Sequence, residues 1–312
     1  MSKKRVRFWA DSSLLVVTAI WGGTFVMVKD AVMEVGPLTF LALRFALATL
    51  VLLPVMVRHP RAISWRLAAN GTAVGLFLFA GYAFQTAGLQ FTSASKAGFI
   101  TGLSVVLVPV ISAVAFGKKP ALGALAGVAL STIGLGLLSL GDDVTPRVGD
   151  LLVLACAGSF ALHILAVGSF APRHEVLPLT AAQIAAAAVL NGAGALLFET
   201  PRVSQLAAVL PAALFTGLLA TVAAFYLQTY AQRFTTPTHT ALIFTMEPVF
   251  AGLFGYLLAG ERLSERGLLG CGLILAGMLI SRVQRPARHL VGRAAYTASR
   301  QSLGLKKGQR GR

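Results

Sequence analysis

Few residues in this 312-residue chain can do chemistry, and the sharpest of them is a carboxylate in apolar sequence. Glu247 lies midway along a hydrophobic stretch, in Phe244-Thr245-Met246-Glu247-Pro248. An unpaired carboxylate there costs several kcal/mol against lipid, so it must face protein or water. It can then pair with a cation, bind a solute or carry a proton. Equally, it can fix a kink at Pro248, which has no N–H to donate and leaves a carbonyl one turn earlier free. Arg44 sits two turns into another apolar run, Leu41-Ala42-Leu43-Arg44-Phe45, where it either snorkels to headgroups or pairs with an anionic group. His163, in Ala161-Leu162-His163-Ile164, has a side chain that titrates near neutrality. Its simpler role is one hydrogen bond to a neighbouring carbonyl.

Neutral groups complete the set. Trp21, Tyr82, Gln85, Ser104, Tyr226 and Gln228 fall in apolar stretches and can recognise an amphipathic solute without demanding net charge. The same residues can serve as interhelical glue or interface anchors. Together with Glu247 they form the candidate substrate-binding set, with Glu247, Arg44, His163, Lys96 and His239 as coupling or gating candidates. No metal-ligand cluster, P-loop, His-Glu-x-x-His or Gly-x-Ser-x-Gly arrangement occurs, so no enzyme, cofactor or ATP-driven pump is expected.

The elements that must position these residues are membrane spans. The chain is 56% hydrophobic and 12% charged, about half the charge of a soluble domain. Ten apolar stretches of bilayer-spanning length lie near 12–32, 37–57, 67–90, 94–116, 121–140, 150–170, 178–198, 207–231, 236–258 and 266–282. Cys156 and Cys271 fall inside them and read as buried hydrophobes. Lys3-Lys4-Arg5-Val6-Arg7 precedes a run without a small-residue cleavage site, so the first stretch is expected to be uncleaved.

The sequence also repeats at an offset of 143 residues: Gln85-Thr86 returns as Gln228-Thr229, Phe91-Thr92 as Phe234-Thr235, and Gly117, Gly127 and Gly134 as Gly260, Gly270 and Gly277. Lys96 is matched by His239 and Ser104 by Glu247. Ten spans in two repeats give five each, and an odd number inverts the second repeat. The expected fold is therefore all-α, a polytopic bundle of ten transmembrane helices in two inverted five-helix repeats. Such repeats place a solute site near the midplane, with access alternating between the two sides. The expected divisions are 1–11 (cytoplasmic segment), 12–140 and 150–282 (the repeats) and 283–312 (a disordered basic tail).

With the N-terminus inside, Lys and Arg outside the spans divide 20 to 5 in favour of the cytoplasmic face, which puts both termini there. This bias accounts for most of the +16 net charge, and no nucleic acid partner is needed to explain it. The tail is expected to meet anionic lipid headgroups. Gly123-x-x-x-Gly127 and Gly272-x-x-x-Ala276 favour packing within a monomeric bundle over dimerisation, with oligomeric state left open.

Trp21-Gly22-Gly23-Thr24-Phe25, Pro37…Arg44-Phe45, Thr92-Ser93-Ala94-Ser95-Lys96-Ala97-Gly98-Phe99 and Glu247-Pro248-Val249-Phe250…Gly260-Glu261-Arg262-Leu263…Gly270…Gly277 together resemble the EamA branch of the drug/metabolite transporter superfamily. The resemblance covers roughly residues 12 to 282. It implies a permease of two EamA repeats in a bacterial inner membrane, most often an exporter of amino acids or other small metabolites. An uncoupled facilitator and a non-transporting, lipid-binding scaffold are the alternatives. The first repeat departs from the pattern: Val105 stands opposite Pro248, with Pro109 one turn later, so its fourth span is expected to bend elsewhere.

Overall fold

Hydrocarbon offers no partner for a backbone N–H or C=O, so apolar runs of this length close their hydrogen bonds internally as helices. The computed structural model describes residues 3–58, 64–92, 94–117, 120–140, 147–200, 203–259 and 264–283, and among them there is no strand. The helices are α1 (Lys3–Val35), α2 (Pro37–Arg58), α3 (Trp65–Leu89), α4 (Ala94–Gly102), α5 (Ser104–Phe116), α6 (Leu122–Ser139) and α7 (Val148–Phe170). They continue with α8 (Val176–Phe198), α9 (Val203–Phe215), α10 (Ala224–Ala231), α11 (Pro237–Phe244), α12 (Glu247–Ala259) and α13 (Glu265–Val283). A π-helical segment, Thr216–Ala223, joins α9 to α10 without a break. Among the described residues, seven helical stretches are long and apolar enough to cross a membrane. The expected tail lies outside the described residues from 284 onward, as does the 141–146 connection.

Two of the expected spans are bent, and at equivalent places. The run 94–116 breaks at Leu103, whose N–H reaches Phe99 O at 3.2 Å and Ile100 O at 3.1 Å. The run 236–258 breaks at Thr245–Met246, where Met246 N–H turns to Ile243 O at 3.0 Å. Leu103 and Met246 are 143 residues apart. This corrects the expectation that the fourth span bends elsewhere for want of a proline: a tightened i→i−3 turn is enough, and Pro248 is not required. The first helix also begins earlier than expected, at Lys3 rather than near 12.

Helices approach closely where glycine removes the side chain. A Cβ on Gly127 would lie 2.6 Å from Gly277 O, and one on Gly134 would lie 2.6 Å from Gly270 O. The reciprocal contacts, Gly277 to Gly127 O and Gly270 to Gly134 O, are equally short. As one number rises the other falls, so α6 and α13 run antiparallel with their backbones in contact. α2 and α8 are also antiparallel, because the end of α8 caps the start of α2. Glu199 accepts from Leu38 N at 3.0 Å, Thr39 N at 2.7 Å and Thr39 Oγ1 at 2.6 Å, satisfying first-turn amides that no helical carbonyl can reach. Gly36 makes the turn between α1 and α2 with φ +89°, a left-handed conformation that suits glycine.

The crossing predicts a sharp contrast between glycines on neighbouring turns. Gly134→Ala should lower stability by roughly 1–3 kcal/mol through overpacking against α13. Gly272→Ala, whose Cβ would meet nothing within 4 Å, should leave it unchanged. Thermal melting of the two purified variants checks this, and equal melting would refute the backbone contact.

Candidate functional site

The bends in the two broken runs deliver polar groups to the middle of the bundle. Ser104 is the first residue of α5 and Glu247 the first of α12, each just past its break. The Glu247 side chain is half-buried, and among the described residues no donor meets its carboxylate. Gly22 lets α1 reach this point: a Cβ there would lie 2.7 Å from Glu247 O and 2.8 Å from Ala251 N. Gly22 adjoins Trp21, whose ring packs on Phe244 and Phe225, and Phe225 in turn packs on Tyr82 with centroids 6.4 Å apart.

Arg44 meets Tyr82 directly. Its guanidinium is buried, 2% exposed, and has no carboxylate partner among the described residues. It is held instead by neutral acceptors: Nε donates to Thr221 Oγ1 at 2.7 Å, and Nη2 donates to Ala220 O at 3.0 Å and Tyr82 Oη at 3.3 Å. The Tyr82 ring adds a cation–π contact, 4.9 Å from the guanidinium carbon to the ring centroid. Nη1 donates to nothing among the described residues. The π-helical segment makes this possible, because its widened turn turns carbonyls such as Ala220 O away from the usual ladder. Trp21 Nε1 donates to the same oxygen at 3.0 Å, so Trp21 and Arg44 share one acceptor.

Aromatic rings close the cluster. Trp21 packs on Phe225 and Phe244, with centroids 5.6 and 5.1 Å away, and Tyr82 packs edge-on against Phe45 and Phe160. Gln85 donates to Thr101 Oγ1 at 3.3 Å, beside Cys156. Phe160, Phe225, Phe244, Thr221 and the Ala220 carbonyl were not singled out from the sequence. In uniformly apolar spans, a phenylalanine facing the centre looks like one facing lipid.

The remaining expected residues lie elsewhere. Tyr226 turns outward, 39% exposed, away from Tyr82 and Trp21. Gln228 is buried and donates to Gln232 Oε1 at 3.0 Å, while its own Oε1 has no partner. His163 bonds through Nε2 to Gln183 Oε1 at 2.9 Å, and Gln183 donates onward to Thr229 Oγ1 at 3.2 Å. An amide oxygen only accepts, so His163 donates, and this chain ties α7 to α8 and α10.

Lys96 and His239 meet carboxylates that the sequence reading missed. Lys96 Nζ lies 3.7 Å from Asp150 Oδ2, and Thr92 Oγ1 donates to Asp150 Oδ1. His239 Nε2 lies 3.3 Å from Asp11 Oδ1, and its Nδ1 lies 3.3 Å from Ser281 Oγ. The two pairs sit at opposite ends of α6. Phe99, one turn past Lys96, packs near Gly136 late in α6, whereas Ser281 abuts Gly127 near its start. A signal for the acids was available: Asp11 and Asp150 recur at an offset of 139, which the main offset of 143 hides.

Residues 8–140 and again 147–283 match the EamA-like transporter family. The chain is 33% identical over 274 residues to an uncharacterized transporter of Archaeoglobus fulgidus, covering 88% of this chain and 86% of that one. It is 26% identical over 300 residues to the uncharacterized inner membrane transporter YedA of Escherichia coli, covering 92% and 96%. A solved crystal structure superposes with a TM-score of 0.71 at 21% identity, covering 87% of this chain and 96% of the other, which is a likeness of fold.

The geometry around Arg44 predicts that charge alone cannot replace it. Arg44→Lys should destabilise the protein by about 2 kcal/mol, because one ammonium cannot serve Thr221, Ala220 and Tyr82 together. Unchanged thermal melting of that variant would contradict the placement.

Proposed function

Because the chain belongs to the EamA-like transporter family and is a membrane transporter with two copies of the family's repeat, we propose that it is a secondary transporter of small amphoteric metabolites, amino acids foremost. It works across the inner membrane by alternating access, in the outward direction that the family resemblance suggests. The observation that carries this reading is an aromatic cluster, Trp21, Phe225, Phe244 and Tyr82, with an incompletely satisfied guanidinium at Tyr82 and, past Gly22, a carboxylate unpaired among the described residues. Glu247 receives the ammonium group of the solute, Arg44 and Tyr82 face its carboxylate, and the rings of Trp21, Phe160, Phe225 and Phe244 receive its apolar part. Gln85, Ser104 and Gln228 offer further hydrogen bonds at the margin.

Ten crossings support the reading if α4 with α5, α9 with the π-helical segment and α10, and α11 with α12 each count as one. The divisions are then 12–140 and 150–282, with 1–11 and 283–312 as flanking segments. Counterparts in the two repeats run antiparallel, α6 against α13 and α2 against α8, as inversion requires. Positive-inside bias favours cytoplasmic termini for this arrangement.

The two ion pairs suit alternating access. Each joins the first helix of one repeat to the fourth span of the other, Asp11 to His239 and Asp150 to Lys96, at opposite ends of the cluster. Releasing one while the other holds opens one face at a time. A carboxylate that takes either a proton or a solute ammonium, but not both, makes Glu247 the coupling group: proton entry releases the solute.

Proteoliposome flux of a neutral amino acid, compared with its N-acetyl and amide derivatives, tests the proposal. Each derivative loses one charge and should move at least tenfold more slowly, because a buried polar partner is left unmet. Glu247→Gln should remove the discrimination against the N-acetyl form. Equal flux of all three solutes through the unmodified protein would sink the amphoteric site.

A further inference from the structure

At one end of the bundle, about three turns from Tyr82 along α3, the start of α3 and the short turn Ala171–His174 between α7 and α8 border a cavity of about 370 Å³. It is lined by Trp65, Arg66, Ala69, Asn70, Arg173 and His174. Arg66 and Arg173 are exposed, and neither is ion-paired among the described residues. Asn70 Nδ2 lies 2.8 Å from His174 Nε2. This bond holds the ring against α3. The one carboxylate beside the cavity is Glu175, which is exposed and does not cap α8 with its side chain. The first-turn amides of α8 therefore add positive potential to that of the two guanidiniums.

Depth decides which anion meets this pocket. Trp65 is the first residue of the apolar span Trp65–Leu89, and Arg173 the last of the apolar span Val148–Arg173. The pocket thus lies at the rim of the hydrocarbon, the level of phospholipid phosphates, and Trp65 is 83% exposed there, as an interfacial anchor is. Arginine forks suit phosphate oxygens better than a point charge does. We infer that the pocket binds the phosphate of an anionic phospholipid. Arg66 and Arg173 hold its oxygens, Asn70 orients His174 beneath them, and Trp65 packs along the junction of headgroup and acyl chain. This site is separate from the basic tail and needs none of it.

The test titrates phosphatidylglycerol, phosphatidylcholine or inorganic phosphate onto the full-length protein in detergent and follows the melting midpoint. Phosphatidylglycerol should raise the midpoint where phosphatidylcholine does not. In R66Q/R173Q the half-effective lipid fraction should rise about twenty-five-fold, at roughly a factor of five per arginine near the surface. R58Q/R233Q, which removes the same charge from exposed positions outside the pocket, should respond as the unmodified protein does. If R66Q/R173Q does not fold, R173Q alone carries the comparison with a shift of about fivefold. An unshifted response in the pocket variants, or an equal response in R58Q/R233Q, would overturn the site. Full stabilisation by inorganic phosphate alone would overturn the lipid assignment.

Discussion

A polar group inside this bundle has no water to fall back on, and most of the structure follows from that constraint. Unpaired donors and acceptors in such surroundings cost free energy on the scale of the protein's whole stability. The buried polar residues accordingly form closed sets. His163 is joined to Gln183 and Thr229, Glu199 caps α2, and Gln232 reaches Ile164 O. Against that background the exceptions carry the information. Among the described residues Ser131 Oγ, Asn191 Oδ1 and Gln228 Oε1 are buried without partners, and the Glu247 carboxylate and Arg44 Nη1 likewise meet no partner, the latter on a guanidinium that touches Tyr82. Incompletely satisfied groups of opposite sign in one aromatic enclosure suit a solute that brings both charges with it.

Glycine contact is the complement of this polar economy. Without a hydrophobic driving force between helices, close packing and backbone approach must hold them together. The reciprocal contacts of Gly127 with Gly277 and Gly134 with Gly270 join the two repeats through their last helices. The Lys96–Asp150 and His239–Asp11 pairs join them again at either end. One junction is rigid backbone packing, while the others are single ion pairs whose rearrangement costs far less.

Much of this was legible in the sequence. Most apolar runs set their helices to within a few residues, the first helix excepted, and of the glycines read as packing positions Gly127 does meet a facing backbone while Gly272 meets nothing within 4 Å. The break at Leu103 is not legible there, because no proline stands opposite Pro248, yet it falls at the position equivalent to Met246. What could not be read was orientation about each helix axis. Tyr226 and Phe225 are neighbours with equal claim by residue type, yet one faces outward and the other packs on Trp21. In a span apolar on every side there is no periodicity to separate them. The π-helical turn at Thr216–Ala223, which frees a carbonyl for Trp21 and Arg44, likewise has no local signature in Thr216-Gly217-Leu218-Leu219-Ala220.

The central claim of the proposal is that Glu247 is a free carboxyl that the solute meets. Labelling with a hydrophobic carbodiimide, followed by peptide mass spectrometry, tests this most directly, because a carboxyl group without a partner forms a stable N-acylurea. Glu247 should be modified in the full-length protein, and transported amino acids should protect it in proportion to their affinity. An unreactive Glu247, or a modification that no transported solute slows, would contradict the account.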